Sequence, residues 1–343
     1  MSQSQTLSNL SILPPPRIAA VEKALQTIFG TTEIDAITQL AGGLSTALVY
    51  KIVVNGEPYV LRVMMHTDAF TDPVRLFACM KLAADTGIAP QIYYADVDDA
   101  LTITAHVDAK PMHANFPIYD DLLTELAEMV KAIHATPLFP KLVNFMDGVD
   151  GFITQFQASQ RLPTEATAEH FRLYAKIQQK YPRHDPNVVS SHNDLNYNNI
   201  LFDGTKFWII DWEAAFQNDR YVDLANIANG FVNNEAQEET YLRVYFGDAL
   251  DETKRARFFL MQQTCHFFYA MVMLQMVDAR TPKGVLFDAK MQTPSYADFR
   301  QLIGTGQVQL STNEGQLLFA KVMLNEALRK MQSQRFEYAL AQM

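Results

Sequence analysis

The chain has 343 residues, of which 48% are hydrophobic and 19% are charged, so its composition supports a folded core and excludes global disorder. Its length exceeds the ~250–300 residues at which single cores stop growing, which favours two packed units. The formal net charge of −10 excludes a general polyanion binder, because nucleic-acid affinity depends on clustered Lys and Arg, so we expect no nucleic-acid partner.

Three features of the sequence bear on the cellular compartment. Cys79 and Cys265 lie far apart and match no zinc or redox spacing, so buried thiols in a reducing cytoplasm are expected. Residues 1–16 lack the basic start and the apolar stretch of a secretory signal. The longest uninterrupted apolar run, residues 267–274, is far shorter than the ~18 residues of a membrane span. We therefore predict a cytoplasmic protein without a membrane span.

The first third of the chain predicts an antiparallel sheet with few helices. A helix over 17–29 ends at Gly30, and a second helix is expected over 73–85. Asn55-Gly56 is a strong hairpin signal between two β-prone runs. The five β-prone runs are residues 34–40, 48–54, 59–64, 91–95 and 101–106.

A glycine-containing turn between the first two predicted strands is a candidate phosphate contact. Glycine lets the backbone approach a phosphate closely, and a nearby Ser hydroxyl can donate to it, although two glycines are usually no more than a turn. The cation Arg62 on the third predicted strand favours the phosphate interpretation, because a guanidinium binds phosphate oxygens bidentately. The predicted contacts in the turn are Gly43, Leu44, Ser45 and Thr46.

Beyond Pro111, apolar residues recur at helical spacing, which indicates a mainly helical second unit. Asp120 and Asp121 precede the first of these helices and are predicted to cap it. Long helices are expected over 252–277 and 317–341. The residues after about 285 carry no readable motif, and they either cover the helical unit or mediate formation of a homodimer.

One pair of strand signals, residues 200–202 and 207–210 around the tight turn Asp203-Gly204, interrupts the helices. Phosphoryl transfer from ATP needs a carboxylate that accepts the proton of the acceptor hydroxyl, and oxygen ligands that hold Mg²⁺ against the phosphates. Asp194 and Asn199 before this hairpin, and Asp211 after it, supply that set. The alternative is a surface loop with turn chemistry only, but the ordered occurrence of several elements favours catalysis.

The segment His192-Asn193-Asp194-Leu195, followed by Asn199 and Asp211, resembles the pattern of the aminoglycoside phosphotransferase and choline kinase superfamily. His-Asn-Asp is more similar to the bacterial choline/ethanolamine kinases than to aminoglycoside kinases, in which glycine commonly takes the middle position. The resemblance implies an α+β, protein-kinase-like fold. Its nucleotide-binding N-lobe, residues 1–108, would contain a five-stranded antiparallel sheet with a helix, and its helical C-lobe, residues 109–343, the catalytic hairpin and the acceptor pocket.

The same resemblance implies roles for individual residues. Asp194 corresponds to the catalytic base, Asn199 and Asp211 to the Mg²⁺ ligands, and Arg62 to the cation that contacts the phosphates of ATP, the co-substrate. The run 101–107 occupies the position of the interlobe hinge. Its residues Thr104 and His106 are the predicted adenine contacts, although His106 could equally be a solvated hinge residue.

The resemblance also implies supporting residues. His192 and Asp223 are expected to brace the catalytic loop, and His134 is expected to pack. The glutamate that normally pairs with the phosphate-binding cation is missing, because the predicted helix over 73–84 contains none. Asp72 and Asp85 are the candidate substitutes.

Choline kinases hold a quaternary ammonium group between aromatic faces and carboxylates. Glu213, Phe268 and Tyr269 are the predicted acceptor contacts, with core packing as the alternative for the two aromatic residues and the metal as the alternative for Glu213. The expected reaction is transfer of the ATP γ-phosphate to a small alcohol, choline or ethanolamine first. A kinase for an aminoglycoside, a macrolide or a metabolite such as thiamine would share the catalytic residues. A nucleotide-binding pseudokinase is the non-enzymatic alternative, supported only by the missing glutamate.

Overall fold

The computed structural model describes residues 9–40 and 47–343. The N-terminal part of these residues forms one antiparallel sheet of five strands in the order β1-β2-β3-β5-β4, which confirms the predicted N-lobe. Arg62 lies in the middle of this sheet, because its strand β3 pairs with β2 on one side and β5 on the other. The strands are β1 Ala36–Gln39, β2 Leu48–Val54, β3 Glu57–Val63, β4 Ile92–Asp96 and β5 Leu101–Ala105.

Two helices accompany the sheet, α1 Pro15–Phe29 and α2 Pro73–Asp85. Helix α1 ends at Gly30 with a φ of 69°, the left-handed cap that glycine adopts without steric cost. Both central residues of the β2–β3 turn have positive φ, 54° at Asn55 and 82° at Gly56, as the predicted hairpin turn requires. Apolar residues of α1 and of the strands share one buried core.

The second lobe is mainly helical, as predicted. Asp120 and Asp121 do not cap α4, because the helix begins one residue earlier and both carboxylates lie in its first turn, where they favour the helix dipole. The helices are α3 Met112–Asn115, α4 Tyr119–His134, α5 Phe145–Ser159, α6 Thr164–Lys180, α7 Tyr221–Phe231, α8 Glu235–Phe246, α9 Glu252–Arg280, α10 Tyr296–Gly304, α11 Asn313–Met331 and α12 Gln334–Ala341.

Four short strands hold the centre of the helical lobe: β6 Val189–Ser191, β7 Ile200–Phe202, β8 Phe207–Ile209 and β9 Phe216–Asn218. Strand β6 pairs with β9, and β7 pairs with β8 in the predicted hairpin. The turn of the β7–β8 hairpin is longer than Asp203-Gly204, because the side chain of Asp203 accepts hydrogen bonds from the backbone nitrogens of Thr205 (2.7 Å) and Lys206 (3.0 Å). A four-residue turn therefore replaces the predicted two-residue turn.

The C-terminal region covers the helical lobe, since α11 and α12 both pack on α9. The predicted single helix over 317–341 is two helices. The hydroxyl of Ser333 donates to the carbonyl of Lys330 (2.7 Å) and competes with continued helix at the break. Buried Arg161 and Lys321 hold the segment between α9 and α10 by donating to its backbone carbonyls.

Both cysteines are buried and free of disulfides, as predicted. Burial raises the pKa of the Cys79 thiol to about 12, so this thiol is unreactive at neutral pH. Among the helices of the described ranges, 9–40 and 47–343, none combines the length and the apolar character that a membrane crossing requires.

We expect acid to destabilise the fold partly through His266 of α9. Its imidazole is 4% exposed, and burial lowers its pKa to about 4. An unfolded histidine titrates near ~6.5, so the folded state binds fewer protons between these two values. The free energy of unfolding should therefore fall as the pH drops through this window, by up to about 1.4 kcal/mol per pH unit.

The check is urea unfolding of wild type and His266→Gln at several pH values across this window. The free energy of unfolding should depend less steeply on pH in the variant than in wild type. Part of the dependence remains in both proteins, because His170 is also buried with a lowered pKa. Identical slopes would mean that His266 does not take up the proton on unfolding.

Candidate active site

The loop between β6 and β7 is anchored by the buried carboxylate of Asp223 at the start of α7. Its oxygens accept hydrogen bonds from the backbone nitrogens of His192 (2.8 Å) and Asn193 (2.7 Å). Burial alone would raise the pKa of Asp223, but the hydrogen bond from His134 and the neighbouring imidazoles hold it below its ordinary value. His134 therefore does more than pack, because its Nε2 lies 3.2 Å from Asp223 and its Nδ1 2.6 Å from the Tyr245 hydroxyl.

His192 and Asn193 tie this loop to the chain that follows the β7–β8 hairpin. Nε2 of His192 lies 2.9 Å from the carbonyl oxygen of Ile210, and its ring packs edge-on against Trp212. Asn193 has a φ of 66°, a left-handed conformation that is uncommon outside glycine, and its amide donates to the carbonyl of Ala214 (2.8 Å). These contacts fix the backbone on either side of Asp194, in agreement with the bracing role predicted for His192.

Both carboxylate oxygens of Asp194 accept hydrogen bonds. Oδ1 accepts from Asn196 Nδ2 (3.1 Å) and from the Tyr269 hydroxyl (2.8 Å), and Oδ2 accepts from Asn199 Nδ2 (2.9 Å). Burial raises the pKa of Asp194, and the bonds from Asn196 and Tyr269 oppose that shift. Burial and the charge of Asp194 raise the pKa of Tyr269 well above its ordinary value, so its hydroxyl stays a donor. The structure thus brings the predicted base and one predicted acceptor contact together.

A backbone hydrogen bond joins the segments that carry the two predicted metal ligands, Asn199 and Asp211. The backbone nitrogen of Ile210 donates to the carbonyl of Asn199 (3.0 Å), which holds the residue before Asp211 against the loop. The amide nitrogen of Asn199 is used by Asp194, so its amide oxygen is the atom that can face a cation. Asp211, with a φ of 63°, has a buried Oδ1 to which no described residue donates a hydrogen bond of normal geometry.

This donor set fits Mg²⁺. A buried carboxylate oxygen is costly unless a positive charge compensates it; Nη2 of Arg62 lies 3.1 Å from Oδ1 of Asp211, and a bound metal ion would share that role. In the described part of the chain, no three His, Cys, Asp or Glu side chains form a protein-only metal site. Mg²⁺ ordinarily binds through one or two carboxylates and completes its shell with water and substrate phosphates, so Asn199 and Asp211 match its chemistry.

Arg62 reaches from β3 to the carboxylates that follow the β7–β8 hairpin. Its Nη2 donates to Oε1 of Glu213 and lies 3.1 Å from Oδ1 of Asp211. Burial acts to lower the pKa of Arg62, but the charges of Asp211 and Glu213 raise it above its ordinary value. The structure therefore places Glu213 beside the predicted phosphate contact and the predicted metal ligand.

Neither carboxylate predicted to replace the missing glutamate contacts Arg62 in this way. Asp72 caps α2 by accepting from the backbone nitrogen of Val74 (3.0 Å). Asp85 forms an exposed ion pair with Lys81 on the same helix (2.8 Å). Both candidate substitutes are therefore wrong, since their side chains stabilise α2 itself.

The other predicted nucleotide contacts are distributed around the sheet. Thr104 lies in β5 opposite Val60 of β3, and its side chain is half-buried. His106 follows β5 and is also half-buried, and burial lowers its pKa. The predicted contacts Gly43, Leu44, Ser45 and Thr46 lie outside the described residues.

Phe268 belongs to an aromatic cluster on one side of α9. Its ring lies 5.1 Å from that of Phe145, 6.0 Å from that of Phe152 and 5.4 Å from that of Tyr269, measured between centroids. The cluster supports the ring of Tyr269, whose hydroxyl reaches Asp194. Phe268 therefore packs against Tyr269, and it is Tyr269 that contacts Asp194.

The model of the phosphotransferase enzyme family matches residues 36–259, which include the sheet, the catalytic loop and the β7–β8 hairpin. The chain belongs to this family. Its membership confirms the prediction of a small-molecule phosphotransferase and of a place in the aminoglycoside phosphotransferase and choline kinase group.

Solved structures of other phosphotransferases share the fold. A choline/ethanolamine kinase family protein from Mesorhizobium loti is 18% identical, with a TM-score of 0.69 over 95% of this chain and 98% of that one. The choline kinase LicA from Streptococcus pneumoniae is 17% identical, with a TM-score of 0.57 over 78% and 92% of the two chains. A spectinomycin phosphotransferase solved with ADP and spectinomycin is 17% identical, with a TM-score of 0.53 over 75% and 88%. At these identities the likeness shows the kinase-like fold alone.

One curated relative matches a short stretch. Over 38 residues the phosphotransferase is 51% identical to an uncharacterized protein of Metamycoplasma hominis. The match covers 11% of this chain and only 8% of that protein, so it describes a shared local segment.

Two residues at the site escaped the sequence prediction. Asn196 donates to Asp194, and its signal was present as a polar residue directly after the Asp-Leu pair. Arg75 of α2 is 5% exposed and donates to backbone carbonyls next to Asp211. Its signal was a cation on the apolar face of a helix, where a charge remains buried only when its donors are satisfied.

Proposed function

We propose that this phosphotransferase transfers the γ-phosphate of ATP to the hydroxyl of a small amino alcohol, with choline or ethanolamine as the first candidates. The observation that carries the proposal is the convergence of Asp194, Asn199 and Asp211 in one site around the β7–β8 hairpin. The fold match to a choline/ethanolamine kinase family protein over 95% of the chain, and the His-Asn-Asp sequence, support this acceptor class.

In this proposal Asp194 is the catalytic base. Its Oδ1 already accepts two hydrogen bonds, whereas the contact from Asn199 uses one position on Oδ2. The acceptor hydroxyl would therefore approach Oδ2, where the carboxylate orients it and takes its proton as the new oxygen–phosphorus bond forms. The bond between the γ-phosphorus and the β,γ-bridging oxygen breaks in the same step, and ADP leaves. Asn199 and Asp211 would hold Mg²⁺, which when bound neutralises negative charge on the phosphate oxygens.

The nucleotide would bind along the sheet. Arg62 and the turn containing Gly43, Leu44, Ser45 and Thr46 would hold the phosphates, and Thr104 and His106 would contact the adenine edge. Residues 1–108 would then form the nucleotide-binding lobe, and residues 109–343 the lobe with the acceptor pocket. A cytoplasmic location and a homodimer stay predictions.

The acceptor side is proposed around Tyr269. Its hydroxyl lies 2.8 Å from Asp194, so an acceptor bound for reaction lies against this ring, with Phe268 behind it. Glu213 remains a predicted acceptor contact, although its carboxylate is paired with Arg62. A spectinomycin phosphotransferase has the same fold, so antibiotics form the second acceptor class.

Removing the Tyr269 hydroxyl should slow turnover without weakening ATP binding. In Tyr269→Phe, Asp194 loses one hydrogen bond to a charged oxygen, so we expect kcat to fall by about ten- to a hundredfold. Steady-state kinetics with both substrates varied measures this, and KM for ATP should stay unchanged. Tyr338→Phe is the control, because its hydroxyl contacts Glu252 at the surface. Equal kcat in Tyr269→Phe and wild type would remove the hydroxyl from the site.

The test of the function is Mg²⁺-dependent ADP release from ATP with a panel of acceptors: choline, ethanolamine, thiamine, homoserine, and several aminoglycosides and macrolides. Asp194→Ala is the blank. Turnover with choline or ethanolamine that vanishes in the blank supports the proposal. Turnover confined to an antibiotic or to thiamine replaces the acceptor class, and ATP binding without turnover on any acceptor favours a pseudokinase.

A further inference from the structure

The phosphate-binding cation of a kinase is usually positioned by a glutamate on the helix that follows its strand. In this chain that helix, α2, contains no glutamate, and its acidic neighbours Asp72 and Asp85 are engaged in capping α2 and in pairing with Lys81. Arg62 nevertheless has a carboxylate partner, because its Nη2 donates to Glu213. The partner comes from the other lobe, 151 positions further along the chain.

Helix α2 takes part in this arrangement through a cation. Nη2 of Arg75 donates to the backbone carbonyl of Glu213 (2.8 Å), and its Nη1 donates to the carbonyl of Ala215. Arg75 is 5% exposed, so these bonds are shielded from water and hold the backbone of Glu213 firmly. The helix therefore fixes the segment that carries the carboxylate instead of carrying the carboxylate itself.

We propose that Glu213 is the positioning residue for Arg62, and that Arg75 holds Glu213 in place from α2. This differs from the usual kinase arrangement, in which the helix supplies the carboxylate. Here the helix supplies a cation, Arg75, and the segment after the predicted metal ligand supplies the carboxylate. This inference rests on the proposed function, in which Arg62 contacts the phosphates of ATP.

Glu213 also protects the proposed metal ligand. Nη2 of Arg62 lies 3.1 Å from Oδ1 of Asp211 while it is bonded to Glu213. Without the Glu213 carboxylate, we expect the guanidinium of Arg62 to pair with Asp211, its other carboxylate partner. Because Glu213 accepts a hydrogen bond from Arg62, the guanidinium does not pair with Asp211 alone, and Asp211 stays available to a metal ion. Loss of Glu213 should weaken both nucleotide binding and the response to Mg²⁺.

The test is direct binding of ATP to the full chain, with and without Mg²⁺, by calorimetry. We compare wild type, Glu213→Gln, Arg62→Met and the double variant. Glu213→Gln should raise the Kd for Mg·ATP by about tenfold, the effect of losing one charged hydrogen bond. On the Arg62→Met background the same change should have almost no further effect, because Glu213 acts through Arg62.

Glu238→Gln is the matched control. Glu238 also pairs with an arginine, Arg335, and its side chain is similarly shielded, but the pair joins α8 to α12. Its Kd for Mg·ATP should equal that of wild type. If Glu213→Gln does not fold, Glu213→Asp takes its place in the comparison of single and double variants, since aspartate keeps the carboxylate on a shorter side chain. Arg75→Lys should raise the Kd in the same direction, since it replaces the two separate Nη donors of Arg75 by a single nitrogen on a shorter side chain.

Additive losses in the Arg62 and Glu213 variants would overturn this inference and leave the proposed function standing. The same holds for a Kd in Glu213→Gln equal to that of wild type. Absence of nucleotide binding by the wild-type chain would overturn the proposed function, and the inference with it.

Discussion

Asp194→Asn should lower kcat by about a hundred- to ten-thousandfold, the contribution typical of a positioned general base. The amide has nearly the shape of the carboxylate but cannot take the proton of the acceptor hydroxyl. The amide keeps one acceptor oxygen, so only part of the contacts from Asn196, Asn199 and Tyr269 survives. The loop should keep its fold because Asp223 holds its backbone. Single-turnover phosphoryl transfer measures the chemical step, and calorimetry measures the Kd for ATP, which should change little.

The control for this variant is Asp203→Asn. Asp203 lies in the turn of the β7–β8 hairpin, where its side chain accepts from backbone nitrogens, and asparagine supports the same kind of turn. Its kcat should match that of wild type. If Asp194→Asn retained a kcat close to that of wild type, the proton would have to leave by another route.

Asp211→Asn should raise the Mg²⁺ concentration for half-maximal activity by at least about tenfold, since even outer-shell changes cost that much at metal sites. The physical reason is the buried Oδ1 of Asp211, which lacks a donor of normal geometry among the described residues and carries the charge a cation would meet. In the variant that charge is gone. The measurement is a Mg²⁺ titration of turnover at saturating ATP, paired with ATP binding in the absence of the metal.

Asp72→Asn is the control for the metal titration, because asparagine caps helices as well as aspartate does. Its Mg²⁺ response should overlay that of wild type. An unchanged response in Asp211→Asn as well would remove this residue from the metal site.

Local signals explain the parts of the fold that the sequence predicted. Gly30 ends α1 and Asn55-Gly56 turns β2 into β3 because each needs only its own backbone conformation. The segment around Asp194 is also a local signal, because its polar residues lie close together in the sequence. The break between α11 and α12 was missed because a single serine competes weakly with strong helix formers around it.

Contacts between distant segments could not be predicted in this way. Glu213, the partner of Arg62, lies 151 positions further along the chain. No spacing rule links a strand residue to a residue at such a distance. Arg75 satisfies its donors with backbone carbonyls, which every residue possesses, so its partners leave no mark on the sequence. Proximity in the sequence points only to residues near α2, and α2 contains no glutamate.

The β7–β8 hairpin is also bonded to the chain on both sides of the β4–β5 pair. Its Ile209 nitrogen donates to the carbonyl of Ile88 (2.9 Å), and its Phe202 carbonyl accepts from the nitrogen of Lys110 (2.6 Å). The first bond joins the hairpin to the connection between α2 and β4, and the second joins it to the chain that leaves β5. Both are backbone bonds, so a rotation of the sheet costs least when its axis passes through them. We therefore expect any movement of the sheet against the helical lobe to turn about this hairpin, which would leave the loop that carries Asp194 in place.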